Sequence, residues 1–278
     1  MKTPDLTIDL GGCVSVVTGG AKGLGRGAAW ALAQAGSDIV VADIDKAAAE
    51  ELGVRIRESG RRYWFVETNM MNADEIERLT ETVKHSIGTV NILVNNVGGG
   101  RPQSFDKQSQ NSIRRHIDLN LMSTLLTTQQ FLPLMIKGGR GGAIINVAST
   151  EALRAAPGFA VYAACKAAIV NFTKSMALEQ AAHGIRSFAL APDMIETPGL
   201  APLMNVPDPA SVEARNRYIP NGRVGNIAEF GQVVAFLASD LASYMNGVTI
   251  PVDAGATAAA GWYRNPNNEW CLYHSIDR

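Results

Sequence analysis

The sequence predicts an α/β fold: a doubly wound, seven-stranded parallel sheet with helices on both faces. Three observations predict it. Short β-branched runs alternate with longer Ala- and Leu-rich stretches, the pattern that builds successive βαβ units. Several short runs are apolar at consecutive positions, as in Ile92-Leu93-Val94 and Ile144-Ile145, which suits strands buried on both faces. A glycine-rich turn also joins the first short run directly to the first helical stretch.

In chain order, the first strand is read at 13–18, where Val14, Val16 and Val17 cluster, and the first helix at 24–35. The run Ile39-Val40-Val41-Ala42-Asp43 makes 38–43 the second strand, and a helix follows over 45–59. Aromatic and β-branched residues mark 63–69, with a helix over 73–87, and 91–96 is the fourth strand before a long helix over 110–137. The last strands are 143–149, 185–191 and 248–252, separated by helices over 160–182 and 226–239. Residues 192–221 are rich in proline and read as a mobile loop over the site. A tail, 256–278, carries Trp262, Tyr263, Trp270 and Tyr273. Aromatics at that density argue against disorder, so the tail is expected to pack on this subunit or a neighbour.

Composition bounds the function. The 278 residues are 46% hydrophobic and 18% charged, with a net charge of −1. That is enough for a full core, and without repeats or linkers the chain reads as a single domain, 1–278, with its core at about 10–255. Near-zero charge argues against nucleic acid as a partner. No apolar run approaches the roughly 20 residues of a membrane span. The start, Met1-Lys2-Thr3-Pro4-Asp5-Leu6, lacks the apolar core of a signal peptide. Cys13, Cys165 and Cys271 have neither metal-ligand nor disulfide spacing, so a reducing cytoplasmic setting is expected. Cys165 reads as a small buried filler, with no His nearby in sequence to act as its base.

Two segments carry chemistry. Thr18-Gly19-Gly20-Ala21-Lys22-Gly23-Leu24-Gly25 runs from a strand into a helix. Glycines there let the backbone approach a pyrophosphate, and the helix N-terminus offers free N–H groups; a purely structural turn would look similar. Asp43 ends the second strand, with Ile44 after it. A carboxylate there accepts hydrogen bonds from the adenosine ribose and repels a 2′-phosphate, which favours NAD over NADP. Lys22 pulls the other way. Asp43 could instead cap the next helix, but Asp45 fits that role at least as well.

The second segment is Val161-Tyr162-Ala163-Ala164-Cys165-Lys166, with Ser149 thirteen residues upstream of Tyr162. On a helix Tyr162 and Lys166 stand one turn apart on one face. Two unit charges about 4 Å apart at an effective dielectric of about 20 attract by roughly 4 kcal/mol. That is about three pKa units, enough to bring a phenol from about 10 toward 7.

Taken together, residues from about 10 to 255 resemble the short-chain dehydrogenase/reductase family. The matching elements, in order, are the Thr-Gly-x-x-x-Gly-x-Gly loop, Asn95-Asn96-Val97-Gly98, Asn120, Ser149, Tyr162 and Lys166. The resemblance implies a Rossmann-type sheet, a homotetramer, and oxidoreduction of a secondary alcohol or ketone with NAD. It implies that Tyr162 transfers the proton and that Lys166 holds the nicotinamide ribose. By the same resemblance Ser149 hydrogen-bonds the substrate oxygen, Asn120 anchors a water, and Asn95 ties neighbouring strands beside the cofactor. Ser149 as a strand end and Asn120 as a helix kink are the plain structural alternatives.

Departures are local. Pro192-Asp193 stands where the family has Pro-Gly, while Thr197 and Ile195 fall where a hydroxyl and a backbone N–H meet the carboxamide. Asn69-Met70 replaces Asp-Val near the adenine, and Val97 replaces an alanine. By the family pattern the substrate pocket would draw on Gly99-Gly100-Arg101, Glu151-Ala152-Leu153, Phe159, Met194 and the loop 198–220. Glu151 and Arg154 are either a substrate contact or an ordinary surface pair. The rival readings are an NAD-recycling epimerase or dehydratase and a non-catalytic NAD-binding protein.

Overall fold

A computed structural model of the chain describes residues 7–201 and 208–272. Seven parallel strands form one Rossmann-type sheet: β1 (Val14–Thr18), β2 (Asp38–Asp43), β3 (Tyr63–Glu67), β4 (Ile92–Asn95), β5 (Gly142–Val147), β6 (Ile185–Pro192) and β7 (Thr249–Val252). Their order across the sheet is β3-β2-β1-β4-β5-β6-β7. Winding outward from the middle leaves β1 and β4 adjacent, paired Ser15 with Ile92 and Val17 with Val94. The loops after these two strands diverge to opposite faces, which opens a crevice at their C-terminal ends.

Consecutive strand residues supply opposite layers, as the pleat requires. Val17, Ile39, Val41, Ile92, Val94, Ile145 and Phe188 join Leu32, Leu52 and Phe230 in one core. Val16, Val40, Leu93 and Ile144 join Leu79, Val83, Phe131 and Met135 in the other. The helices are α1 (Gly23–Gln34), α2 (Lys46–Glu58), α3 (Ala73–Ser86), α4 (Gln110–Ile117), α5 (Ser123–Gly138), α6 (Ala160–Glu179), α7 (Pro209–Tyr218), α8 (Ile227–Ala238) and the short α9 (Ala256–Ala259).

Three differences from the sequence reading have physical causes. The long helix over 110–137 is broken by a π turn, Asp118–Met122, whose inserted residue cannot be seen in a hydrophobic period. The region 192–221 contains α7, which buries no residue and so lacks the apolar stripe that reveals a helix; its signals are Asp208, capping Ala210 and Ser211 N–H groups, and Pro209 at its start. The tail forms an antiparallel pair, β8 (Tyr263–Arg264) with β9 (Trp270–Cys271), and the Arg264 guanidinium lies 4.9 Å from the Trp270 ring centre. Tyr273 lies outside the described residues. No described helix is long and apolar enough to cross a membrane.

Candidate active site

β1 ends at Thr18, whose buried hydroxyl donates to the Val94 carbonyl (3.3 Å) and accepts from Asn96 N–H (3.0 Å). The Asn96 side-chain amide donates to the carbonyls of Thr18 and Gly19, both at 3.0 Å. These bonds fix the glycine loop across the switch point. A Cβ at Gly25 would stand 2.1 Å from the Gly19 carbonyl oxygen and 2.6 Å from the Asn96 amide nitrogen, so only glycine fits. α1 then starts with no side-chain cap and no acidic residue in its first turn. Its leading N–H groups and positive dipole end therefore stay available to an anion.

At the other end of the loop, Asp43 accepts from Ala21 N–H (2.9 Å) and Asp45 N–H (3.0 Å). The cap of α2 is Asp45, which accepts from Ala48 N–H (3.0 Å), so Asp43 is free of that role. Lys22 forms an ion pair with Asp45. The hydrogen bond between them raises the ammonium above its usual range and lowers the carboxyl below its own. Ile44 projects into solvent beside them, 71% exposed. Asn69 accepts from Met71 N–H (3.1 Å) through its side chain, and its own N–H donates to Glu75 (2.7 Å).

Ser149 follows β5 and Tyr162 lies in the first turn of α6. Burial pushes the Tyr162 phenol above its ordinary value; the Ser149 hydrogen bond pulls it down, and the Glu151 charge adds to the rise. Lys166, expected to lower it, is not among the groups that shift it. The Lys166 ammonium is buried, donates to the Val147 carbonyl (2.7 Å) and sits 5.8 Å from the Tyr162 ring centre. Burial drops its own pKa to about 8. Gly98 is constrained too, though less than Gly25, because a Cβ there would meet side-chain tips, Lys166 Nζ at 2.8 Å and Asn120 Oδ1 at 2.9 Å.

Asn120 is fully buried in the π turn. Its oxygen accepts from Gly99 N–H (2.7 Å), and its amide donates to the carbonyls of Gly99 (2.9 Å) and His116 (3.0 Å). The side chain thus serves the kink and the 98–99 loop together. Behind it, Asn95 donates to Thr128 (2.9 Å) and to Asn146 (2.8 Å), which donates to Thr173 (3.0 Å), linking α5, β4, β5 and α6. Cys165 is buried against the His116 carbonyl, and burial raises its thiol pKa.

Asp193, where a glycine is usual, is held by Tyr218 OH (3.1 Å) and Arg154 (3.5 Å), and Arg154 also bonds Glu151 (3.0 Å). Burial raises the Asp193 carboxyl against the pull of Arg154. Burial likewise opposes the Arg154 charge, but bonds to Glu151 and Tyr218 outweigh it and hold the guanidinium above its ordinary value. Glu151 and Arg154 are therefore part of a four-residue cluster rather than an isolated surface pair. One consequence touches a predicted contact. The Ile195 N–H donates to the Asp193 carbonyl (2.9 Å) and its side chain is buried, so that N–H is committed inside the protein.

A cleft of about 690 Å³ runs from Asp43 to Tyr162 along the strand ends. Its wall brings together Gly19, Lys22, Gly23, Leu24, Asp43, Ile44, Asn69, Met70, Asn96, Val97, Gly98, Tyr162, Lys166, Pro192 and Thr197. Thr18, Gly25, Asn120 and Ile195 are buried residues outside that lining, and Ser149 is buried beside Tyr162. Sequence reasoning missed Thr68, Met71, Arg115, Leu119, Val147 and Ala148, while Pro198 and Gly199 come from the loop 198–220 that it assigned to the substrate pocket. Arg115 lies in α4 and Leu119 in the π turn beside Asn120.

The family model described as Enoyl-(Acyl carrier protein) reductase matches residues 19–257. The chain is 36% identical over 249 residues to the 3-oxoacyl-[acyl-carrier-protein] reductase FabG of Thermotoga maritima, covering 88% of this chain and 98% of that protein. It is 35% identical over 255 residues to the oxidoreductase UcpA of Salmonella typhimurium, covering 89% and 95%. Among solved structures it is similar to a short-chain type dehydrogenase/reductase from Mycobacterium marinum, with TM-score 0.82 and 30% identity over 90% of this chain and 97% of that one. It is also similar to a 7α-hydroxysteroid dehydrogenase complexed with NADH and 7-oxo glycochenodeoxycholic acid, with TM-score 0.83 and 30% identity over 90% and 96%.

Proposed function

The chain belongs to the short-chain dehydrogenase/reductase family of oxidoreductases, and on that footing we propose that it interconverts a secondary alcohol and a ketone with NAD. The observation that carries this reading is one continuous cleft with the Ser149–Tyr162–Lys166 group at one end and the Asp43 carboxylate, held by two backbone N–H groups, at the other. The residues fit a dinucleotide. The uncapped start of α1 suits a pyrophosphate. Asp43 suits the ribose hydroxyls of NAD, and Lys22, the cation of the glycine loop, is already paired with Asp45. When bound, the nicotinamide supplies or accepts the hydride.

The chain's own part is proton handling and orientation. Ser149 and Tyr162 are hydrogen-bonded to each other, and in the proposed reaction both hydroxyls would turn to one substrate oxygen and polarise its carbonyl. Burial and Glu151 keep the phenol protonated near neutrality, which is the acid form that ketone reduction needs. Alcohol oxidation needs the phenolate, so its kcat should climb with pH beyond neutrality while the reduction rate does not. Lys166, Asn120 and Gly98 form one packed unit that orients the ribose end of the cleft.

The test is Tyr162→Phe. It should lower kcat by about 10²–10⁴ and leave NADH affinity within about threefold. Near-normal turnover would refute the reading. Catalytic efficiency should favour NADH over NADPH; parity would refute the weight placed on Asp43. The relatives' names favour a second reading, reduction of an acyl-carrier thioester, and exposed Arg114 and Arg115 beside the cleft suit an acidic carrier. Faster turnover of an acetoacetyl thioester than of simple ketones would select it. We also read the enzyme as a cytoplasmic homotetramer, in keeping with three free cysteines.

A further inference from the structure

Neither the C-terminal tail nor the Arg154 cluster lines the dinucleotide cleft. Both line a second cavity, of about 600 Å³, bounded by Leu153 and Arg154, by Ala214 and Tyr218 of α7, and by Trp262 and Tyr263 of the tail. The two spaces are close neighbours. A single 3-10 turn, Thr150–Ala152, separates Ser149 from Leu153, which at about 2 Å per residue places Leu153 roughly 8 Å from the serine. On the other side, Pro192 lines the cleft, while the next residue, Asp193, binds Arg154 and Tyr218 at the cavity wall.

The chemistry of the wall is specific. Leu153, Trp262 and several alanines give apolar faces, and Tyr218 and Tyr263 give flat aromatic ones. Both guanidinium groups in the wall are already neutralised. Arg154 is held by Glu151 and Asp193, and Arg217 by Glu213 at 2.6 Å. A carboxylate or phosphate would have to displace those partners, whereas an uncharged ring would lose only its hydration. The volume lies within the range of about 300–1,000 Å³ typical of small-molecule sites.

We propose that this cavity holds the ring body of an uncharged alicyclic or aryl ketone, or its alcohol, with the tail residues Trp262 and Tyr263 as the specificity wall. The inference rests on the hydride-transfer reading of Tyr162, and it assigns the substrate class to that site.

The probe is 1-tetralone, titrated calorimetrically into the NAD⁺-saturated enzyme, in which ketone reduction cannot proceed. Trp262→Ala, which removes a half-exposed ring (47% exposed) without opening the core, should weaken binding at least tenfold. Leu153→Trp, which fills the cavity, should do the same, and Tyr244→Ala, at a fully exposed site elsewhere, should not. The charged analogue 1-naphthoate should bind at least tenfold more weakly than 1-tetralone. Equal affinity of both cavity variants and wild type, or naphthoate binding as tightly as the ketone, would overturn the assignment. Variant-sensitive binding without any NADH-dependent reduction of 1-tetralone would support the cavity and overturn the hydride-transfer reading instead.

Discussion

Lys166 shows how burial and charge compete at a single side chain. Its ammonium is fully enclosed and has one carbonyl partner, Val147, and desolvation lowers its pKa from 10.5 to about 8. The sign of the linkage follows. Between about pH 8 and 10.5 the unfolded chain holds a proton on Lys166 that the native protein does not, so native stability rises with pH across that window. Below pH 8 the penalty is fully present, on the order of 3 kcal/mol. Lys166→Met removes the penalty but leaves the Val147 carbonyl unpartnered, at about 1–3 kcal/mol. The variant should therefore match or exceed wild type in urea midpoint at pH 7, and wild type should overtake it toward pH 10.5. A stability difference that does not change with pH would refute the buried-ammonium account. Tyr162, by contrast, is set by burial and by Ser149 and Glu151.

At the scale of elements, α1 and α8 touch through backbone. A Cβ at Gly27 would lie 2.2 Å from the Ile227 carbonyl oxygen, and one at Gly231 would lie 2.3 Å from the Gly27 oxygen. Neither backbone can yield without moving a helix. Gly27→Ala or Gly231→Ala should each cost about 2–4 kcal/mol, in the range of overpacking and strain, read as a lowered Tm. Gly60→Ala, at a φ of +80° with open space around it, should cost only about 1–2 kcal/mol. Much at this scale was legible in the sequence. The seven strands lie within a residue or two of the runs read from it, because a parallel strand's buried faces write themselves as apolar runs. The Tyr162–Lys166 spacing and the glycine loop were legible because helical periodicity and the strand-to-helix turn fix who neighbours whom. What was not legible depends on contacts distant in sequence or on absent periodicity. The π turn at Asn120, the stripe-less α7, the commitment of the Ile195 N–H and the partners of Asp193 all belong to that class.

For the whole molecule, assembly is the open variable. Leu178 on α6 is 80% exposed, and Phe105, Ile117, Leu121 and Val161 surround an open apolar hollow between α4 and α6. Surface of that kind suits contact with another protein surface, and we propose that a second copy of the chain covers it. Light scattering should give about 118 kDa, four times the 29.6 kDa chain; a monomer mass would refute the tetramer. The contact of Gly27 with residues 227–231 also has a consequence in time. The helix that packs against α1 is made about 200 residues after it. At about 5–20 residues per second, α1 waits some 10–40 s for its partner. During synthesis, then, α1 stands uncovered on the side that α8 will pack, and a later stretch of chain completes an earlier one.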